Sequence, residues 1–107
     1  MQFNVDIGKI ANKLDFEKED VEMLLEVFYE SSLENLNILE KAIKNIDLED
    51  VIQASHSIKG SSSNLLLEEI ASLAKEIELN AKDNNIAFDY VQKYLELSNM
   101  IKNLISE

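Results

Sequence analysis

The residues able to do chemistry are gathered in positions 54–64, which hold the only histidine of the chain, His56, and one of its two glycines, Gly60. At roughly 100° of rotation per helical residue, His56, Lys59, Gly60 and Ser63 fall in one arc. An apolar stripe of Val51, Ala54, Ile58, Leu65 and Leu66 runs beside it. The imidazole is therefore expected at the edge of the apolar face, open to solvent, with the Lys59 side chain one turn along. A mid-helix glycine costs about 1 kcal/mol relative to alanine, and Gly60 leaves the backbone bare beside the ring. One histidine cannot supply an all-imidazole metal site, and the chain has no cysteine for a thiolate one. No serine–histidine–acid arrangement with an oxyanion hole follows from the pattern. There is no glycine-rich phosphate loop or Walker sequence, so no ATP site is expected. What remains for an exposed imidazole beside a lysine is nucleophilic capture of a phosphoryl group.

Such a face needs a helix, and the helix needs partners. Apolar residues recur at every third or fourth position nearly throughout, which predicts helices over about 5–14, 17–46, 48–63, 66–82 and 87–105. Ile7, Ile10, Ala11 and Leu14 form the first stripe, with Asn4 or Asp6 as its cap and Asp15 as cap of the next helix. The long second stripe is Val21, Leu25, Phe28, Ser32, Leu36, Leu39, Ile43 and Ile46, with a bend allowed only at Ser31-Ser32. Asp47 caps the third helix, and the polar run of residues 61–64 weakens its end, so that Asn64 closes one helix and caps another. Leu67, Ile70, Leu73, Ala74, Ile77 and Ala81 point inward from the fourth helix, and residues 82–85 make the clearest turn. Phe88, Val91, Leu95, Ser98, Ile101 and Ile105 are the expected inner face of the fifth. Short turns between long helices favour antiparallel neighbours. The expected fold is all-α: an up-down-up-down four-helix bundle with a short additional N-terminal helix, in a single domain spanning 1–107.

Composition fits that fold and narrows the partners. Of 107 residues, 46% are hydrophobic and 29% charged, too apolar for a disordered chain, and the absence of proline permits long helices. The net charge of −11, from 21 acidic against 10 basic residues, repels phosphate backbones and anionic lipid, so nucleic-acid binding and membrane association are not expected. No apolar run approaches the roughly 20 residues that span a bilayer, and residues 1–6 have no secretory-signal character. Without cysteine a cytoplasmic location is natural.

The run His56-Ser57-Ile58-Lys59-Gly60 resembles the histidine–any–aliphatic–lysine–glycine core of histidine-containing phosphotransfer (HPt) domains of two-component phosphorelays. The likeness continues through the small residues Ser61 to Ser63 and through Leu67, Ile70, Leu73, Ile77 and Glu78 at family spacing. It implies a four-helix bundle whose exposed His56 accepts a phosphoryl group from a receiver-domain aspartate and passes it to another receiver. By the same resemblance Lys59 neutralises phosphoryl oxygens, and Gly60, with Ser57 and Ser63, gives the partner access. Glu78 accepts a hydrogen bond from the imidazole Nδ1–H, leaving the Nε2 lone pair outward. Many members carry a second glycine where this chain has Leu66, which bears on the turn between the two helices.

The implied protein is a phosphoryl carrier rather than an enzyme. It is expected to be monomeric and without a cofactor of its own, the magnesium belonging to the response-regulator receiver. A sensor histidine kinase is a further implied partner. Two other readings stay open on the sequence: the histidine-bearing module of a chemotaxis-type kinase phosphorylated by a separate ATP-binding domain, and a receiver-binding bundle that is never phosphorylated.

Overall fold

The computed structural model describes residues 2–106. Five helices follow one another: α1 (Ile7–Leu14), α2 (Lys18–Lys44), α3 (Leu48–Asn64), α4 (Glu68–Lys82) and α5 (Tyr90–Lys102). Helix α2 packs against α3 and α5, and α4 against the same two, so the four long helices close a ring; α1 lies on α2. Residues 45–47 and 65–67 are all that link α2 to α3 and α3 to α4, so each pair must run antiparallel. The core is built mostly from the expected stripes, with Leu25, Leu39, Ile58, Ile77 and Ile101 fully buried at its centre, joined by Leu97, which the expected face of the fifth helix left out.

Two features depart from the expected all-helical chain. A two-residue antiparallel pairing, β1 (Gln2–Phe3) with β2 (Ile105–Ser106), ties the two ends together. Asn4 extends it by donating its backbone N–H to the Leu104 carbonyl at 2.7 Å. Strands this short leave no period-two pattern to read. The second departure is at the helix ends. Asp15, Ile46, Leu66 and Asn84 all take a left-handed φ between 53° and 59°. At each, the next backbone N–H reaches the carbonyl five residues back: Phe16 to Ala11, Asp47 to Ala42, Leu67 to Ser62 and Asn85 to Asn80. This is the closure that satisfies orphan carbonyls at a helix C-terminus.

Several expectations are corrected by these closures. Ile46 is a turn residue, 75% exposed, and not the last step of the α2 core stripe. Leu66 belongs to the α3–α4 turn and not to α4. Asp15 ends α1 instead of capping α2, where Glu17 holds the N-cap position without a side-chain bond. Asn64 is the last residue of α3, and Leu67 stands at the α4 N-cap position. On α5, Val91 and Leu95 are exposed while Leu97, Ser98 and Ile101 are buried. Ser98 and Ile101 are where the stripe put them; counting from Phe88 fails only over the first turns, because α5 begins at Tyr90. Other caps are where they were expected: Asp6 accepts from the Lys9 N–H at 3.0 Å and Asp47 from that of Asp50 at 3.2 Å.

A β-branched residue in the left-handed region carries a steric penalty of about 1–2 kcal/mol. Ile46→Gly should therefore raise the unfolding free energy by about 1 kcal/mol, after allowance for the freer unfolded chain. Urea denaturation checks it; a loss of stability would show that the Ile46 side chain contributes packing despite its exposure.

A buried glutamate shared by a histidine and two lysines

The serine run that should weaken α3 is accommodated by the helix itself. Ser55 donates to the Val51 carbonyl, Ser62 to that of Ile58, each at 2.6 Å, and Ser61 to that of Ser57 at 2.8 Å. Hydroxyls that bond back to the i−4 carbonyl need no other partner. Small residues can thus occupy buried positions facing the neighbouring helices, while α3 stays helical through His56 and Gly60.

His56 lies on the open side of α3 with 63% of its side chain exposed. Glu78, on α4, is the reverse: a carboxylate with 1% exposure among core residues. Its Oε2 stands 2.8 Å from His56 Nδ1 and 3.2 Å from Lys82 Nζ, and its Oε1 stands 2.7 Å from Lys59 Nζ. The Lys59 approach is a charge contact whose alignment falls short of a hydrogen bond to Oε1. Burial by itself pushes the Glu78 carboxyl up, but the contacts from Lys59, His56 and Lys82, with the Lys59 charge, outweigh it and hold the pKa at about 2. Glu78 is then ionised at neutral pH, and an ionised carboxylate only accepts hydrogen bonds. A neutral His56 must carry its proton on Nδ1, which leaves the Nε2 lone pair facing solvent.

The structure thus brings together His56, Lys59 and Glu78, while Gly60, Ser57 and Ser63 lie on the open face outside the charged cluster. A Cβ built on Gly60 would meet nothing within 4 Å, and its φ is not positive. Neither internal packing nor backbone conformation requires glycine there. Lys82 is the member of the cluster not singled out from sequence. Its signal is the four-residue spacing from Glu78, a helix ion-pair spacing too common to stand out. Two surfaces flank the histidine face. On one side Lys59, Ser63 and Lys75 line a cleft between α3 and α4; on the other, exposed Phe16, Leu24 and Val27 meet Ser61 and Asn64 in an apolar groove. Among the described residues no helix is long and apolar enough to cross a membrane.

Comparison with known proteins bears on the family and the fold. Residues 23–107 match the family model of the Hpt domain. The fold is similar to the crystal structure of histidine-containing phosphotransfer protein B (HptB) from Pseudomonas aeruginosa PAO1. The TM-score is 0.81 and the identity 23%, over 94% of this chain and 86% of that one. No curated protein matches the sequence.

Proposed function

The chain belongs to the Hpt domain family, the histidine phosphotransfer domains of phosphorelays, and from that premise we propose that His56 Nε2 is its phosphoryl acceptor. The observation that carries the assignment is the 2.8 Å contact of Nδ1 with a buried, ionised Glu78, since it leaves the other ring nitrogen free and basic toward solvent. In the accepting step the Nε2 lone pair attacks the phosphorus of a receiver's aspartyl phosphate. The N–P bond forms as the bond to the aspartyl oxygen breaks, and that oxygen leaves with the electron pair as a carboxylate. The Nδ1 proton stays in place, so the ring becomes positive and Glu78 offsets that charge. Attack by a second receiver's aspartate on the same phosphorus reverses the step.

Phosphoryl transfer asks a protein for positioning and charge neutralisation more than for covalent chemistry. Lys59 supplies a cation for the phosphoryl oxygens, and the receiver supplies magnesium and the acidic pocket that holds it. Hpt domains are carriers rather than enzymes with turnover of their own. Gly60 gives the receiver access, with Ser57 and Ser63 at its margins, and a receiver crossing Gly60 also covers the apolar groove of Phe16, Leu24 and Val27. Monomeric action in the cytoplasm belongs to the same reading, because a net charge of −11 opposes self-association and a chain without cysteine suits a reducing compartment.

Incubation with phosphorylated receivers tests the assignment: the chain should take up acid-labile, base-stable phosphate. Receivers that lose phosphate only to water would contradict it. The access role of Gly60 makes a separate prediction. Gly60→Ala should raise helix stability by up to about 1 kcal/mol and transfer normally. Gly60→Gln should fold as well yet transfer several-fold more slowly; an unchanged single-turnover rate would remove the access argument.

A further inference from the structure

Glu78 holds two ammonium groups where one would neutralise it. The charged or titratable groups facing its carboxylate are His56 and Lys59 from α3 and Lys82 from its own helix. The lysines take different oxygens: Lys59 the Oε1, and Lys82 the Oε2 that also meets Nδ1. A phosphoryl group on Nε2 brings about −1.5 to −2 of charge to the face that Lys59 shares with the ring. A Lys59 ammonium that turns to that group loosens its 2.7 Å contact with Glu78 Oε1. Without Lys82, the departure of Lys59 would leave a carboxylate that is 1% exposed with the imidazole as its one remaining partner, and a buried charge that loses partners is disfavoured. The Glu78 carboxyl would then bind a proton more readily, and the acceptor of Nδ1–H would be weakened.

We propose that Lys82 is a positioning residue that keeps Glu78 ionised and its Oε2 on Nδ1 while Lys59 moves to the phosphoryl group. The placement suits that task. Lys82 follows Glu78 by one turn on the same helix, so it stays beside the carboxylate whatever α3 does, and glutamate preceding lysine by four residues is the favourable order. Its side chain is 51% exposed, against 28% for Lys59, so holding Glu78 demands little desolvation of the ammonium. Lys82 acts through Glu78 and touches no reacting atom. The proposal rests on the reading of His56 as the acceptor.

The test needs no phosphate. Lys59→Gln imitates the moment when Lys59 has left. NMR follows the Glu78 side-chain carboxyl and the His56 ring nitrogens against pH in five proteins: unmodified, Lys59→Gln, Lys82→Gln, the double variant, and Lys59→Gln with Lys82→Arg. In Lys59→Gln the ring should keep its proton on Nδ1. In the double variant the Glu78 midpoint should rise by at least about one pH unit above that of Lys59→Gln, and both tautomers should appear. Arginine at position 82 should restore the Lys59→Gln behaviour. Denaturant unfolding gives a second answer if the double variant folds poorly, since its loss of stability should exceed the sum of the single losses. The proposal is overturned if Lys59→Gln alone behaves as the double variant does, if adding Lys82→Gln changes nothing, or if the stability losses simply add. Failure of the chain to accept phosphate from receivers would count against His56 as acceptor, and these titrations would still decide what Lys82 does to Glu78.

Discussion

Replacing His56 by glutamine should abolish phosphoryl acceptance and leave the bundle folded. The ring is 63% exposed and contributes one hydrogen bond, to Glu78, which retains Lys59 and Lys82 as partners. The expected change in unfolding free energy is within about 1 kcal/mol. Function should fall to nothing measurable, because the chain has no other imidazole and the glutamine amide is not a nucleophile toward phosphorus. Acid-labile phosphate on the variant, at any rate approaching that of the unmodified protein, would place the acceptor elsewhere. Circular dichroism on the same sample separates loss of the acceptor from loss of the fold.

Glu78→Ala should produce the next largest effect, slowing transfer about 10- to 100-fold, as removal of the group orienting a reactive imidazole commonly does. Without the carboxylate, Nδ1–H loses its acceptor, the neutral ring populates both tautomers, and the positive charge formed on transfer is no longer offset. Glu78→Gln, whose amide oxygen still accepts from Nδ1–H, should retain much more of the rate. The glutamate also sets a pH dependence. Its folded-state pKa of about 2 lies below the ordinary 4.5, so its stabilising contribution is present in full above the unfolded value and is lost as pH falls through the folded one. Unfolding free energy should therefore climb with pH across that window, by on the order of 2 kcal/mol after allowance for partly solvated lysines. Acid titrations of stability should flatten there in Glu78→Gln. Equal slopes in the two proteins would mean that Glu78 is not held ionised by its neighbours.

The parts of this arrangement written in side-chain spacing were legible from sequence. The three- and four-residue steps of α2, α3 and α4 announce a bundle, and His56, Lys59 and Gly60 share an arc that helical geometry alone predicts. The helix ends were harder, because the turn glycines that usually mark them are missing: Ile46 and Leu66 occupy left-handed positions where glycine or asparagine is the ordinary choice. The first turns of α5 were misread for a related reason, since residues 83–89 form a longer connection in which Phe88 looks like the start of the stripe, while Ser98 and Ile101 further on are buried as expected. Glu78 could be placed by resemblance, whereas its burial could not. A lone acid on an amphipathic helix is ordinarily a solvated one, and only packing of α3 against α4 puts it among core residues with three donors around it. Lys82 follows from that burial: a common surface spacing becomes a functional contact once the carboxylate it serves is cut off from water.

The most direct test of the account is the ring-nitrogen spectrum of the single histidine before and after exposure to a phosphorylated receiver. The unmodified protein should show one tautomer, protonated on Nδ1. Phosphorylation should shift Nε2 and couple it to phosphorus, while Nδ1 keeps its proton. Phosphorus on Nδ1, or a spectrum that stays unchanged while the chain takes up phosphate, would contradict the assignment of Nε2 as the acceptor and of Glu78 as the group that orients it.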